Sequence, residues 1–276
     1  MEKGGRKRVG LALGGGVVRG IAHLGVLAVL VEAGVPIDFI SGTSVGALIA
    51  AAYASGRKPG ELLDDALKFR WHRIIKPVIS RQGFFSFAPL KRWIEQELGN
   101  LNLEDLEIPC AIVATDLNRG EPVAFLQGNM PVTIQASCSV PGLIVPVELG
   151  DRLLCDGGVS DMLPVAILRE MGAEYVIAVD VFAYGIRNWL GPLGYLIGGL
   201  EILLERSGGG FDDADCLISP PLAGKTYLRF SRSMHIYELG RQAALEKLVS
   251  IQRSLGLAEA GNQGTEMLLN QSTPPN

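Results

Sequence analysis

Gly42-Thr43-Ser44-Val45-Gly46 is the segment of this chain whose residue types and spacing could make and break a covalent bond. The short apolar segment Asp38-Phe39-Ile40-Ser41 leads into it, and a helical segment from Ala47 to Ala54 leads out. G-x-S-x-G at a strand-to-helix turn is the pattern of a nucleophile elbow. The turn is tight, so the positions two before and two after the serine take glycine, which has no Cβ. It lifts the Ser44 hydroxyl off the sheet, beside the positive end of a helix, where an oxyanion is stabilised. In a chain with 35 glycines the pattern alone also fits a structural turn; the strand-to-helix context favours the nucleophile.

A serine nucleophile needs a base and donors for the oxyanion it creates. Gly14-Gly15-Gly16-Val17-Val18-Arg19-Gly20 follows the apolar segment Val9 to Leu13 and precedes a helical one. Small residues there leave backbone N–H groups free to face an oxyanion. Strand, glycine-rich loop and helix also make a phosphate cradle. Neither the dinucleotide spacing G-x-G-x-x-G nor the P-loop Lys-Ser/Thr fits, so nucleotide binding is the minor reading.

Histidine is the usual base. His23 lies in the first helix on an apolar face, where a packed core residue is the commoner reading; His72 and His235 adjoin no strand-end glycine turn. Asp116, Asp156 and Asp180 each end an apolar strand, at the sheet edge where ligands bind in open α/β folds. Asp156 alone precedes Gly157-Gly158; Asp161 lies nearby without that setting. A carboxylate can take the Ser44 proton directly if desolvation raises its basicity. A turn aspartate bonding its own backbone is an equal reading, and spacing leaves the two open.

The elements that must position these residues alternate. Val9 to Leu13, Phe39-Ile40, Pro109 to Ala114, Val123 to Leu126, Arg152 to Cys155, Tyr175 to Asp180 and Ala214 to Ile218 read as strands. Helices are expected after the glycine loop to about Ala33, over Val45 to Ser55, Pro59 to about Leu67 and Ala88 to Leu98. Further ones are expected over Pro131 to about Cys138, Pro164 to Met171 and Tyr237 to about Leu255. Such alternation argues a three-layer α/β/α sandwich with a mainly parallel central sheet. Residues 1–256 read as one domain and 257–276 as a frayed polar tail. The apolar fraction of 48% suits a buried parallel sheet. A net charge of −4 gives no pull towards nucleic acid. Cys110, Cys138, Cys155 and Cys216 read as core residues of a reducing compartment. Arg6-Lys7-Arg8 before a short apolar run is too brief a pattern for a signal peptide, and no stretch reaches the roughly 18–20 apolar residues of a membrane span. With three histidines, a His-rich metal site is not expected.

Taken in order, four elements resemble the patatin-like phospholipase family, specifically its compact bacterial members. They are the glycine loop ending Arg19-Gly20, the elbow Gly42 to Gly46, Ala136-Ser137-Cys138-Ser139-Val140-Pro141-Gly142 with Pro146-Val147, and Asp156-Gly157-Gly158. The match spans roughly residues 8 to 255. The resemblance implies a patatin-like fold and a Ser–Asp dyad, with Ser44 as nucleophile and Asp156 as general base, and no metal or other cofactor. It implies an oxyanion hole from the backbone of Gly15, Gly16 and Val17, supported by Gly14, Arg19 and Gly20. Its expected substrates are acyl esters of phospholipids or related lipids, its setting cytoplasmic and peripheral to the membrane. The chain departs from the family at Val17, where a fourth glycine is usual. If that position needs φ > 0, valine distorts the hole. A catalytically weakened member acting as a lipid-binding or regulatory adaptor is therefore the alternative reading.

Residues 66–94 carry seven basic residues, no acidic residue, and Phe69, Trp71, Phe84, Phe85, Phe87 and Trp93. That mixture suits an anionic lipid surface; a small subdomain with its own aromatic core is the plainer reading. Residues 186–204 are apolar with glycine interruptions, and burial or a dimer contact is favoured there over a lid. The sequence leaves the oligomeric state unknown.

Overall fold

The computed structural model describes residues 6–182, 191–222 and 233–257; residues 258–276 of the expected tail and residues 186–190 lie outside them. The chain opens with β1 (Val9–Leu13), buried at every residue. Successive side chains of a strand face opposite ways. Leu11 and Leu13 accordingly enter the large core, while Ala12 joins a smaller one on the other face. A strand apolar at every position is thus one covered on both sides.

There follow α1 (Ile21–Glu32), β2 (Phe39–Thr43), α2 (Val45–Ala54) and α3 (Pro59–Lys68). Next come β3 (Lys76–Pro77), β4 (Gly83–Ser86), α4 (Ala88–Glu97), β5 (Cys110–Asp116), β6 (Glu121–Phe125) and α5 (Met130–Ser137). The chain continues through β7 (Gly142–Ile144), β8 (Val147–Leu149), β9 (Arg152–Asp156), α6 (Ala166–Glu170) and β10 (Tyr175–Val179). It closes with α7 (Pro192–Glu205), α8 (Gly210–Asp213), β11 (Cys216–Ile218) and α9 (Ser233–Leu255). The expected strands and helices are all present. The short strands β3, β4, β7 and β8 carry too few residues to show a period, and sequence reading passes over them.

The main sheet runs β11-β10-β1-β2-β5-β9-β8, with β6 also on β5. The ladders from β11 to β5 are parallel; those joining β6, β9 and β8 are antiparallel. Helices α1, α2 and α9 cover one face, and the short α6 with the α8 segment covers the other. The arrangement is the expected three-layer α/β/α sandwich.

One register decides where the site forms. Ile112 pairs with both Gly42 and Phe125, and Ala114 with both Asp156 and Val123. A strand has two edges, so β6 takes one, and β2 and β9 share the other end to end. Thr43 faces Val113, and Asp156 faces the next residue, Ala114.

The residue 66–94 segment forms the outer rim. Phe69, Phe85, Phe87 and Trp93 pack inward against the core, so most of its aromatics are not free to enter a lipid surface. Phe84 on the small sheet β3-β4-β7 is 72% exposed, and the aliphatic Ile79, in the turn between β3 and β4, is fully exposed. The burial expected for residues 186–204 holds for Gly194 and Gly198 of α7. Tyr195, Ile202 and Leu203 on the same helix are exposed. No helix among the described residues is long and apolar enough to cross a membrane.

Helices α1 and α9 touch backbone to backbone. A Cβ on Gly25 would lie 2.1 Å from the Tyr237 carbonyl, and one on Gly240 2.1 Å from that of Ala22. Gly240→Ala therefore has to push the closing helix off the sandwich. The expected loss is about 1–3 kcal/mol, read as a lower denaturant midpoint in chemical unfolding.

Candidate active site

The elbow is built by close approach. A Cβ on Gly42 would stand 2.4 Å from the Gly46 carbonyl, and one on Gly46 2.1 Å from that of Leu13. Both must be glycine for α2 to start directly over the end of β1. Ser44, between them, has φ 55° and ψ −123°. Among the described residues it is the one non-glycine with positive φ. Such strain persists only where the surroundings over-determine it. Here the Ser44 N–H donates to Ser137 Oγ at 2.8 Å, and Ser137 Oγ donates to the Val113 carbonyl at 2.6 Å. The hydroxyl of α5 thus ties the elbow to β5.

Asp156 reaches Ser44 along that same strand. Its carboxyl is close enough to the Ser44 hydroxyl to be influenced by it and accepts the Gly158 N–H at 2.8 Å. Its backbone N–H donates to the Ser139 carbonyl at 2.9 Å, and Thr115 Oγ1 donates to its carbonyl at 2.9 Å. Gly157 lies against the Val113 carbonyl, where an added Cβ would sit at 2.2 Å. Asp156 is 7% exposed. Burial pushes its carboxyl up to about 6, against the opposing pull of the Ser44 hydroxyl and the Gly158 N–H.

The glycine loop sits beside the elbow: the Cβ position of Gly15 is 3.5 Å from Ser44 Cβ. Gly14 donates to the Val179 carbonyl at 3.0 Å, and Gly15 to that of Met162 at 3.3 Å. Among the described residues the Gly16 N–H meets no backbone acceptor. Of the three expected oxyanion donors, Gly15 is thus engaged in holding the loop. Val17 opens the 3-10 turn Val17–Gly20, a right-handed conformation that does not call for glycine. Arg19 in the same turn is buried, and Gly20 leaves room for the Val45 side chain.

His23 is not at the serine. It is fully buried, and its Nε2 donates to the Gly14 carbonyl at 2.8 Å. Burial lowers its pKa to about 4, partly offset by that carbonyl, so it supports the loop as a neutral ring. Asp116 pairs with Arg119 at 2.9 Å, and Asp180 accepts the Phe182 N–H at 2.8 Å; both are strand-end scaffold. Asp161 lies beneath the elbow, where its carbonyl accepts from Thr43 Oγ1 at 2.9 Å. Burial carries its carboxyl to about 7.

Several contributors escaped the sequence reading. Ser137 and Thr115 look like ordinary helix and strand residues. Met162 packs between the loops: its Sδ would lie 2.8 Å from a Cβ on Gly15, and its Cε 2.7 Å from one on Gly158. Ser207 donates to the Gly158 carbonyl at 2.8 Å. Cys138, expected as a core residue, is instead half-buried beside the Ser44 hydroxyl. Burial and the nearby Asp156 charge push its thiol up, so it stays protonated.

Ser44 opens into a cavity of about 450 Å³ walled almost wholly by apolar side chains. Among the described residues no group of three or more His, Cys, Asp or Glu is placed to hold a metal ion.

The family model described as patatin-like phospholipase matches residues 11–169. An uncharacterized NTE family protein of Mycobacterium bovis is 38% identical over 181 residues, covering 63% of this chain and 49% of that protein. Lysophospholipase NTE1 of Coccidioides immitis is 36% identical over 233 residues, 82% of this chain and 14% of that protein. This chain thus spans about half the length of the mycobacterial relative and a small part of the fungal one. Among solved structures, VipD from Legionella pneumophila superposes with a TM-score of 0.55 at 13% identity, over 91% of this chain and 67% of that one. The type III effector ExoU gives 0.50 at 13% identity, over 96% and 61%. At such identity these two show the fold alone.

A buried carboxylate with a raised pKa binds its proton more tightly folded than unfolded, so its ionisation costs stability as pH rises through about 4 to 6. Asp156→Asn removes that cost and keeps an acceptor for Ser44 and Gly158. The variant is expected to be more stable than the parent at pH 7.5, by about 2–3 kcal/mol. The margin should close towards pH 4. Thermal unfolding of both proteins at the two pH values checks this.

Proposed function

The chain belongs to the patatin-like phospholipase family, and from that premise we propose that it is a serine lipid acyl hydrolase that uses a metal-independent Ser44–Asp156 dyad. The observation that carries the reading is the buried Asp156 carboxyl against the Ser44 hydroxyl, at the mouth of an apolar cavity. Residues up to about 256 act as one hydrolase domain on acyl esters of phospholipids or related lipids.

Asp156 takes the Ser44 proton as Oγ attacks the ester carbonyl. A carboxylate raised to about 6 is a better base than an exposed one and is still ionised at neutral pH. The tetrahedral oxyanion accepts from the Gly16 and Val17 N–H groups and lies at the N-terminal end of α2. Collapse expels the alcohol, which leaves with the proton held by Asp156. Water then gives a proton to Asp156 and attacks the acyl-enzyme; the same oxyanion forms and collapses, and Ser44 Oγ leaves with that proton. A single carboxylate serves both halves because it is ionised at the start of each.

The lipid surface meets the small sheet. Phe84 and Leu143 stand side by side in the β4–β7 register and are both exposed. Ile79 projects beside them, among the exposed Lys76 and Arg81. Leu143 also lines the cavity that holds Ser44, so this face would bring the cavity against the membrane.

Labelling by a fluorophosphonate probe and hydrolysis of p-nitrophenyl esters test the chemistry. Ser44→Ala should lose both, and Asp156→Asn should fall roughly 10²–10⁴-fold, with a chelator making no difference. In the parent, kcat/KM should rise with pH through a single limb near 6 and stay level above it. Val17→Gly should bring no gain in rate. A folded parent that neither labels nor turns over would sink the proposal. For the surface, Ile79→Ser/Phe84→Ser should weaken co-sedimentation with anionic vesicles at low salt; equal binding by parent and variant would remove that face from the account.

A further inference from the structure

The cavity beside Ser44 has a direction and an end. Val45, Leu48, Ile49 and Ala52 line it from one face of α2, at the spacing of successive helical turns. From Ser44 to Ala52 a helix rises about 12 Å, so the cavity follows α2 away from the nucleophile as a channel for one extended chain. At its far end the walls change character. Asp65 and Glu97 appear there, and Arg57 binds the Asp65 carboxylate at 2.5 Å and the Glu97 carbonyl at 3.4 Å. Phe69 and Trp93 meet edge to face, with centroids 5.4 Å apart. Against the same pair lies a second hollow of about 150 Å³, open to solvent and lined also by the exposed Lys68, Arg70 and Arg73. Phe69 and Trp93 line both chambers. A hydrocarbon tail gains by filling the first chamber and loses by entering the charged second one.

We propose that the Phe69–Trp93 pair is the floor of the acyl channel and sets the longest acyl chain the site accepts. This rests on the hydrolase reading above. Below the limit, each added methylene is buried by apolar walls and should raise kcat/KM about fourfold. At the limit, a longer chain must displace an aromatic pair or leave carbons in water, and the gain stops. Trp93→Ala vacates the space of an indole at the floor, which a longer tail can fill before it meets the charged groups beyond, and should move the optimum to longer chains, as should Phe69→Ala. Ala52→Leu fills the channel above the floor and should move it to shorter ones.

The test uses the full chain with p-nitrophenyl esters of saturated acids from four to sixteen carbons, run on the parent and the three variants after each is shown folded by circular dichroism and thermal melting. A parallel series on Ser44→Ala, with and without Trp93→Ala, measures displacement of an apolar dye by fatty acids of the same lengths. Opposite shifts of the optimum for Trp93→Ala and Ala52→Leu, matched by a longer limit for acid binding in the double variant, support the floor. An unchanged optimum and binding limit in folded variants overturn it. If the parent hydrolyses no ester while the binding limit still moves with Trp93→Ala, the hydrolase reading fails and the floor stands.

Discussion

Val113 and Ala114 are neighbours on β5, and across one edge of that strand they face Thr43 and Asp156. The rest of the site depends on this shared edge. β2 runs parallel to β5 and must stop where β9, arriving from the opposite direction, begins to pair. Two chain segments more than a hundred residues apart thus end one residue apart on a common ruler. A sheet ladder fixes such spacing by backbone hydrogen bonds, with no demand on the side chains it delivers. Ser137 then uses the Val113 carbonyl to brace the Ser44 backbone, and Gly157 packs on the same carbonyl. One carbonyl of β5 thus carries both the nucleophile's turn and the base's.

The base is made strong by being placed where its charge is costly. Asp156 accepts from the Gly158 N–H and lies near the Ser44 hydroxyl, but it has no cation beside it among the groups that shift its pKa. An arginine there would drop the pKa and end its use as a base. The surrounding groups follow the same logic: the Cys138 thiol is kept protonated and the His23 ring neutral. Neither adds a charge that would pin the Asp156 proton on or off. Neutral surroundings leave desolvation as the dominant influence, which suits a dyad without a histidine.

The elbow and the glycine loop were legible in the sequence because each pairs a reactive or glycine-rich element with the end of an apolar strand, whereas Asp156 was set apart from Asp116 and Asp180 by its two following glycines and given its role by the family resemblance. The parallel half of the sheet was legible too, since strands buried on both faces read as unbroken apolar runs. The register of β9 against β5 was not. Asp156-Gly157-Gly158 reads equally well as a turn, and only the pairing of Ala114 with Asp156 puts its carboxyl at the serine. Nor could spacing show that the Gly15 N–H is used by the Met162 carbonyl, because Met162 follows Asp156 on a different loop. The aromatics of residues 66–94 show the limit in the other direction. Their composition is that of a membrane face, yet packing turns Phe69 and Trp93 inward to line a channel and leaves Phe84 on the surface. Composition counts rings; it does not say which way the strands and helices turn them.

Met162 explains why two glycines far apart in sequence are needed together. Its Sδ occupies the space a Cβ on Gly15 would take, and its Cε that of a Cβ on Gly158. Its carbonyl holds Gly15, and its N–H donates to Ser207 Oγ at 3.1 Å. The loop that offers oxyanion donors and the loop that carries the base are therefore spaced by one unbranched side chain. Thioether side chains adapt to irregular gaps at little cost, so small movements of either loop can be absorbed without losing contact with the other. A branched residue would fit one arrangement only, and alanine would leave a void between them. The separation of donors from base, which fixes where an ester carbonyl can sit relative to Ser44, is thus set by a residue that is neither the nucleophile nor the base.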